Sequence, residues 1–161
     1  MFKKILVCLD GSDLAEQILP YVKEQAKSFK STVVLLHVTA EPMLEAPGIP
    51  GEPGYPLQTK SMLQEMEKEM VRADKYLDNL ALSFKKLGIR TKYEILEGLA
   101  GESIVKYAQA NKINLIALVT HGRSGMGRMI LGSTADFVIR ESGLPILIIR
   151  PKPEGGGKGH V

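Results

Sequence analysis

The 161 residues, 44% hydrophobic and 24% charged, fit one globular domain with a sizeable core and exclude disorder of the whole chain. The 21 basic and 18 acidic residues leave a net charge of +3, too small and too mixed to argue for nucleic acid, and without Trp no base-stacking platform is visible. One cysteine, Cys8, excludes an internal disulfide and points to a reducing, cytoplasmic compartment, while no apolar run is long enough for a membrane span or a signal peptide, so no membrane partner is expected.

Residues 5–9 are a continuous apolar run of β-formers, which predicts a strand buried on both faces. Asp10-Gly11-Ser12 turns the chain, with Ser12 as N-cap of a helix that carries Leu14, Ala15, Ile18, Leu19, Val22 and Ala26. Residues 32–38 are a second buried strand. Residues 40–60 hold five of the nine prolines and three glycines, which neither a helix nor a central strand tolerates, so a long mobile surface loop is expected. Residues 61–87 form the longest predicted helix, with one apolar stripe through Leu63, Met66, Met70, Ala73, Leu77, Leu80, Phe84 and Leu87, closed by Gly88. A coiled coil would give the same stripe.

Residues 91–96 are the third strand, with Lys92 and Glu94 on one face. Gly101 opens a helix with Ile104, Val105 and Ala108 inward. Residues 114–120 are the fourth strand, 121–128 a glycine loop, 129–141 the last helix and 145–150 the fifth strand. Five alternations of strand and helix predict an α/β domain: an open, five-stranded parallel sheet with helices on both faces. The domain spans residues 1–151, followed by a disordered tail over 152–161 that is rich in glycine.

The glycine loop carries the chemistry. Glycines let backbone approach a ligand without an intervening Cβ, and freed amides at the start of a helix attract phosphate. Known phosphate motifs do not fit. Gly122 and Gly127 have the outer spacing of a P-loop, but Arg128-Met129 stands where Lys-Ser/Thr is required. The first strand is followed by Gly11 alone, not a dinucleotide fingerprint. Gly122-Arg123-Ser124-Gly125 is one residue out of phase with a hydrolase elbow. Glycines between a strand and a helix also serve as a plain tight turn.

Taken together, residues 5–12 (ILVCLDGS), Leu36-His37-Val38, Thr120-His121-Gly122-Arg123-Ser124-Gly125, Leu131-Gly132-Ser133 and residues 145–149 (PILII) resemble the universal stress protein family. The likeness runs over residues 1–151 apart from the proline loop. It implies a Rossmann-like fold of the adenine nucleotide alpha hydrolase type. The nucleotide-binding members carry Gly, two residues, Gly, nine residues, Gly-Ser/Thr. Here Gly122 and Gly132-Ser133 keep that spacing, while Val119 occupies the first glycine position.

The resemblance implies binding of ATP, or of ADP or AMP, with Mg²⁺ as a companion ion. Asp10 would lie beside the adenosine and Val38 would offer backbone groups to adenine. Gly122, Arg123, Ser124 and Gly125 would line the phosphates, and Gly132, Ser133 and Thr134 would close on them. Cys8, Leu9, Leu118 and Val119 complete the set. The family's strand order would put the third and fifth strands at the sheet edges. The fifth has no charge before Arg150, and the implied partner is a second copy paired through residues 145–150.

Other residues fit structural roles. His37 and His121 have no carboxylates at ligand spacing, and Cys8 reads as a small core residue. No general base, nucleophile or metal cluster emerges, so the expectation is a regulatory nucleotide-binding protein with slow or no hydrolysis. Two alternatives stay open: a dimeric interaction module without nucleotide, argued by Val119, and an enzyme of the same superfold.

Overall fold

The computed structural model describes residues 1–40, 60–120 and 131–152. The sequence expectations for residues 41–59, 121–130 and 153–161 lie outside the described residues. The strands are β1 (Lys4–Leu9), β2 (Thr32–Thr39), β3 (Arg90–Glu97), β4 (Leu115–Val119) and β5 (Ile146–Ile149). The helices are α1 (Asp13–Glu16), α2 (Leu19–Phe29), α3 (Lys60–Lys86), α4 (Ala100–Ala110) and α5 (Ser133–Glu141).

All five strands pair in parallel, in the order β3-β2-β1-β4-β5. Their register aligns Leu9 with His37 and Val119 with Ile149, so the carboxyl ends of the central strands finish together. Alternate strand residues feed two cores. Ile5, Val7 and Leu9 pack with Ala15 of α1, Ile18 between α1 and α2, Val22 of α2, and Leu77 and Phe84 of α3. Leu6, Leu36, Ile116 and Leu118 pack with Ile104, Ala108, Ala135 and Val138 from α4 and α5. Both faces are covered, which is why these strands read as unbroken apolar runs rather than alternating ones. Burying each large side chain contributes about 1.5–3 kcal/mol.

The helix expected after β1 is broken in two. Pro20 stands in the first turn of α2, where it has no N–H to extend a helix from α1, and Gln17 and Ile18 separate the two. α3 lies on the sheet against β2 and β3, but its stripe is only half used. Ala73, Leu77, Ala81 and Phe84 are buried, whereas Leu63 and Leu87 at the two ends are 48% and 47% exposed. Gly88 ends α3 with φ +74°, a left-handed turn that favours glycine. The last helix starts at Ser133, four residues later than the apolar residues 129–131 suggested, because Gly132 is its N-cap with extended backbone. Among the described residues, no helix is long and apolar enough to cross a membrane.

Candidate functional site

Strand order reverses at β1 and β4, whose chains leave the sheet towards opposite faces. Their carboxyl ends diverge into a cleft, the place where open parallel sheets bind ligands. The cavity has a volume of about 410 Å³, enough for a small organic ligand.

Of the residues singled out in the sequence, Cys8, Leu9, Asp10, Val38, Leu118, Val119, Gly132, Ser133 and Thr134 line this cleft. Gly122, Arg123, Ser124 and Gly125 lie outside the described residues. The structure adds Leu36 from β2, Leu14 and Ala15 from α1, Ala100 and Ile104 from α4, Thr120, Ala135 and Pro151. Leu36 could have been found, since it lies two residues before Val38 and faces the same way. The α4 residues and Pro151 carry no local signal.

Asp10 is the carboxylate at the end of β1. One of its oxygens accepts the Ser12 N–H at 2.9 Å and the Ser12 hydroxyl at 2.6 Å. Ser12 Oγ in turn accepts the Ala15 N–H at 3.2 Å, capping α1. Gly11 bridges the two at φ +80°, where another residue would be strained. The turn therefore fixes Asp10 at the cleft mouth.

Across the cleft stands the amino end of α5. Gly132 has no side chain with which to cap it, so the amides of Ser133, Thr134 and Ala135 begin the helix without intrahelical acceptors. The Asp136 N–H makes the first helical bond, to Gly132 O at 3.0 Å. Donors without acceptors among the described residues and the positive end of the helix together favour an anionic group there.

Between these polar walls the lining is apolar, from Leu36, Val38, Ile104 and Leu118. Burial pushes the Cys8 thiol up to about 12, so it stays protonated and unreactive at neutral pH. His37 donates from Nδ1 to Leu9 O at 2.9 Å, since a carbonyl can only accept, and ties β2 to β1. Thr120 turns inward, its N–H bonding Ile149 O at 3.0 Å and its hydroxyl the same oxygen at 3.4 Å. Among the described residues, no three His, Cys, Asp or Glu side chains gather as a metal would require.

The chain exit closes one side. Pro151 is buried against the cleft, and Gln17 and Lys152 bond reciprocally. The Gln17 side chain donates to Lys152 O at 2.8 Å and accepts the Lys152 N–H at 2.9 Å.

The family profile described as the Universal stress protein family matches residues 1–150. The chain belongs to the universal stress protein family. The universal stress protein MJ0531 of Methanocaldococcus jannaschii is 29% identical, the match covering 96% of this chain and 86% of that one. A universal stress protein of Thermus aquaticus is 32% identical, covering 93% of this chain and all of that one (100%). The solved structure of MJ0577, another universal stress protein of M. jannaschii, superposes with a TM-score of 0.75 at 28% identity, covering 96% of this chain and 99% of that one. A universal stress protein of Archaeoglobus fulgidus solved in complex with dAMP shares the fold, with a TM-score of 0.61 at 19% identity over 92% of this chain and 98% of that one. So does a universal stress protein in complex with cAMP, with a TM-score of 0.66 at 17% identity over 92% of this chain and 97% of that one.

Proposed function

We propose that this universal stress protein is a cytoplasmic regulatory protein that binds an adenine nucleotide in the β1/β4 cleft, with slow or no hydrolysis. The observation that carries the reading is the amino end of α5, without a side-chain cap, facing an apolar-walled cleft of about 410 Å³ across the strand-order reversal. The dAMP and cAMP complexes of proteins with the same fold support the ligand class. The Ser133 and Thr134 amides and hydroxyls take phosphate, Val38 and Leu118 flank the base, and Asp10 faces the ribose. Gly122, Arg123, Ser124 and Gly125 are assigned to the phosphates on the sequence motif alone. ATP is the favoured ligand, then ADP and AMP. The donor set suits a Mg²⁺ ion held chiefly by the phosphates, with Asp10 as the carboxylate nearest to hand. Binding rather than fast turnover is assigned to this cleft, as the sequence leads one to expect.

The test is calorimetric titration of ATP, ADP and AMP, with and without Mg²⁺, on the unmodified chain and on Gly132→Val. The Gly132 backbone, at φ −55° and ψ 156°, lies where valine is allowed, and circular dichroism checks that the fold is retained. Losing one charge-assisted bond to phosphate weakens binding roughly 10- to 100-fold. Absence of binding at millimolar nucleotide would overturn the reading. It would favour the second one, a dimeric interaction module without nucleotide, for which the Val119 side chain at the cleft is the argument.

The proposed assembly is a homodimer through β5. The sheet order leaves β3 and β5 as edges. On β3, Lys92 and Glu94 pair at 3.3 Å and Tyr107 OH reaches Glu94 at 3.4 Å, which dresses that edge with charge. The β5 edge, Ile146–Ile149, has no such cover among the described residues.

A further inference from the structure

Charge in this chain is sorted by end. The strands are parallel, so α2, α3, α4 and α5 all return the chain to the end of the sheet opposite the cleft. The segments that meet there are residues 1–4, 27–32, 85–91, 111–115 and 140–146. They hold nine of the 21 basic residues but only one, Glu141, of the 18 acidic ones, so this end carries +8 and the rest of the chain −5. Register sets the row: Lys4 stands beside Thr32, and Thr32 beside Arg90.

Three of the nine are committed locally. Arg140 pairs with Asp136 at 3.1 Å, Lys4 Nζ donates to Asn111 O at 2.8 Å, and Arg90 Nη2 donates to Lys30 O at 3.4 Å. The other six, Lys3, Lys27, Lys30, Lys85, Lys86 and Lys112, are exposed and have no carboxylate partner among the described residues. Helix ends explain part of this. Four helix carboxyl termini bring about −2 of effective charge to that end, which leaves most of +8 uncompensated. Within the basic field lie three large apolar side chains, Met1, Phe29 and Leu87, 84%, 39% and 47% exposed. Phe29 sits between Lys27 and Lys30 and is braced edge-on by Phe2 at 5.3 Å, and Leu87 follows Lys86.

We propose that this end docks on an anionic lipid surface, its lysines at the headgroups and Phe29 and Leu87 in the acyl boundary, leaving the cleft turned to solution. The uncommitted set is six lysines. That is a field of point charges rather than the forked donors that read phosphodiesters bidentately. Leucine has no π-face to stack on a base but partitions into lipid.

The full chain is sedimented with vesicles of phosphatidylcholine alone and with vesicles to which phosphatidylglycerol is added. Binding to the anionic vesicles only, weakening as salt rises, is expected. Each basic residue near the surface contributes roughly fivefold in partitioning, so Lys27→Glu/Lys30→Glu/Lys85→Glu together should lower it by at least about 100-fold. Leu87→Ser should lower it several-fold at constant charge. Circular dichroism checks that the variants, all at exposed positions, keep the fold. No retention on anionic vesicles, or equal retention of the triple variant, overturns the proposal. So does duplex DNA or polyglutamate stripping the protein from vesicles while Leu87→Ser binds unchanged, which would assign the surface to a soluble polyanion.

Discussion

Gly101→Ala should destabilise the fold although alanine is the better helix former. Gly101 lies in the first turn of α4, where that helix crosses α5. A Cβ built there meets Phe137 Cδ1 at 2.9 Å and Phe137 Cβ and Cγ at 3.0 Å. Relaxed carbon contacts lie at about 3.5–4.0 Å, so α5 must move by roughly 0.5–1 Å. Phe137 Cβ is fixed by the backbone of α5, so a rotamer change cannot relieve all three contacts. Overpacking of this kind costs about 1–3 kcal/mol. Alanine returns at most about 1 kcal/mol of helix propensity, and less near a helix end. The expected net loss is about 0.5–2 kcal/mol, read as a lower urea midpoint with unchanged slope and a Tm lower by a few degrees. Adding Phe137→Ala should cancel the clash, so the double variant loses less than the two single losses added. A Gly101→Ala protein as stable as its parent, or more so, would refute the contact. Because α5 also carries the amides at the cleft, the same shift should weaken nucleotide binding.

Cys8 should resist iodoacetamide in the native state. Its pKa of about 12 against 9.0 unfolded leaves roughly a thousandfold less thiolate at pH 8, and native labelling approaching the rate in urea would contradict its burial. The sign of the linkage follows: the unfolded chain releases this proton first, so the contribution is whole below pH 9 and is lost as pH rises towards about 12, visible as a falling Tm that Cys8→Ala flattens. Ser12→Ala removes the cap of α1 and a bond to Asp10, and should cost about 1 kcal/mol by urea denaturation; a loss below a few tenths would mean the cap is idle. Ile148→Lys places a charge on the open β5 edge and should convert a sedimenting dimer to monomer, whereas a parent already monomeric at micromolar concentration would rule that interface out.

The strands were legible because each central strand is covered on both faces, and the expected sheet edges follow once the order is known. Pro20 was in plain view, yet the apolar spacing from Leu14 to Ala26 ran through it. A break of two residues does not disturb a 3.6-residue period enough to show. The late start of α5 was hidden by Met129, Ile130 and Leu131, which look like a first helical turn although Gly132 is the residue that starts it. In the cleft, the strand-end residues could be named from the family resemblance, in agreement with a topology that gathers strand carboxyl ends on one side. Ala100, Ile104 and Pro151 could not, since they arrive by packing between distant segments. The basic end escaped composition for the same reason. It is assembled from five separate segments, and their sum disappears into a net charge of +3.

The brevity of α1 has a kinetic consequence. Four residues make a single turn, too short to hold its own shape, and it is fastened at its entry by Ser12 and at its exit by the Gln17–Lys152 pair. Leu14 and Ala15 on that turn form one wall of the cleft. Releasing two side-chain fasteners loosens the wall while the strand pairing stays intact, at the cost of lifting Ala15 from the edge of one core. A nucleotide admitted by that route would bind at a rate that climbs with concentration only until opening becomes the slow step. Gln17→Ala should then raise the plateau and leave the sheet amides as protected from hydrogen exchange as before.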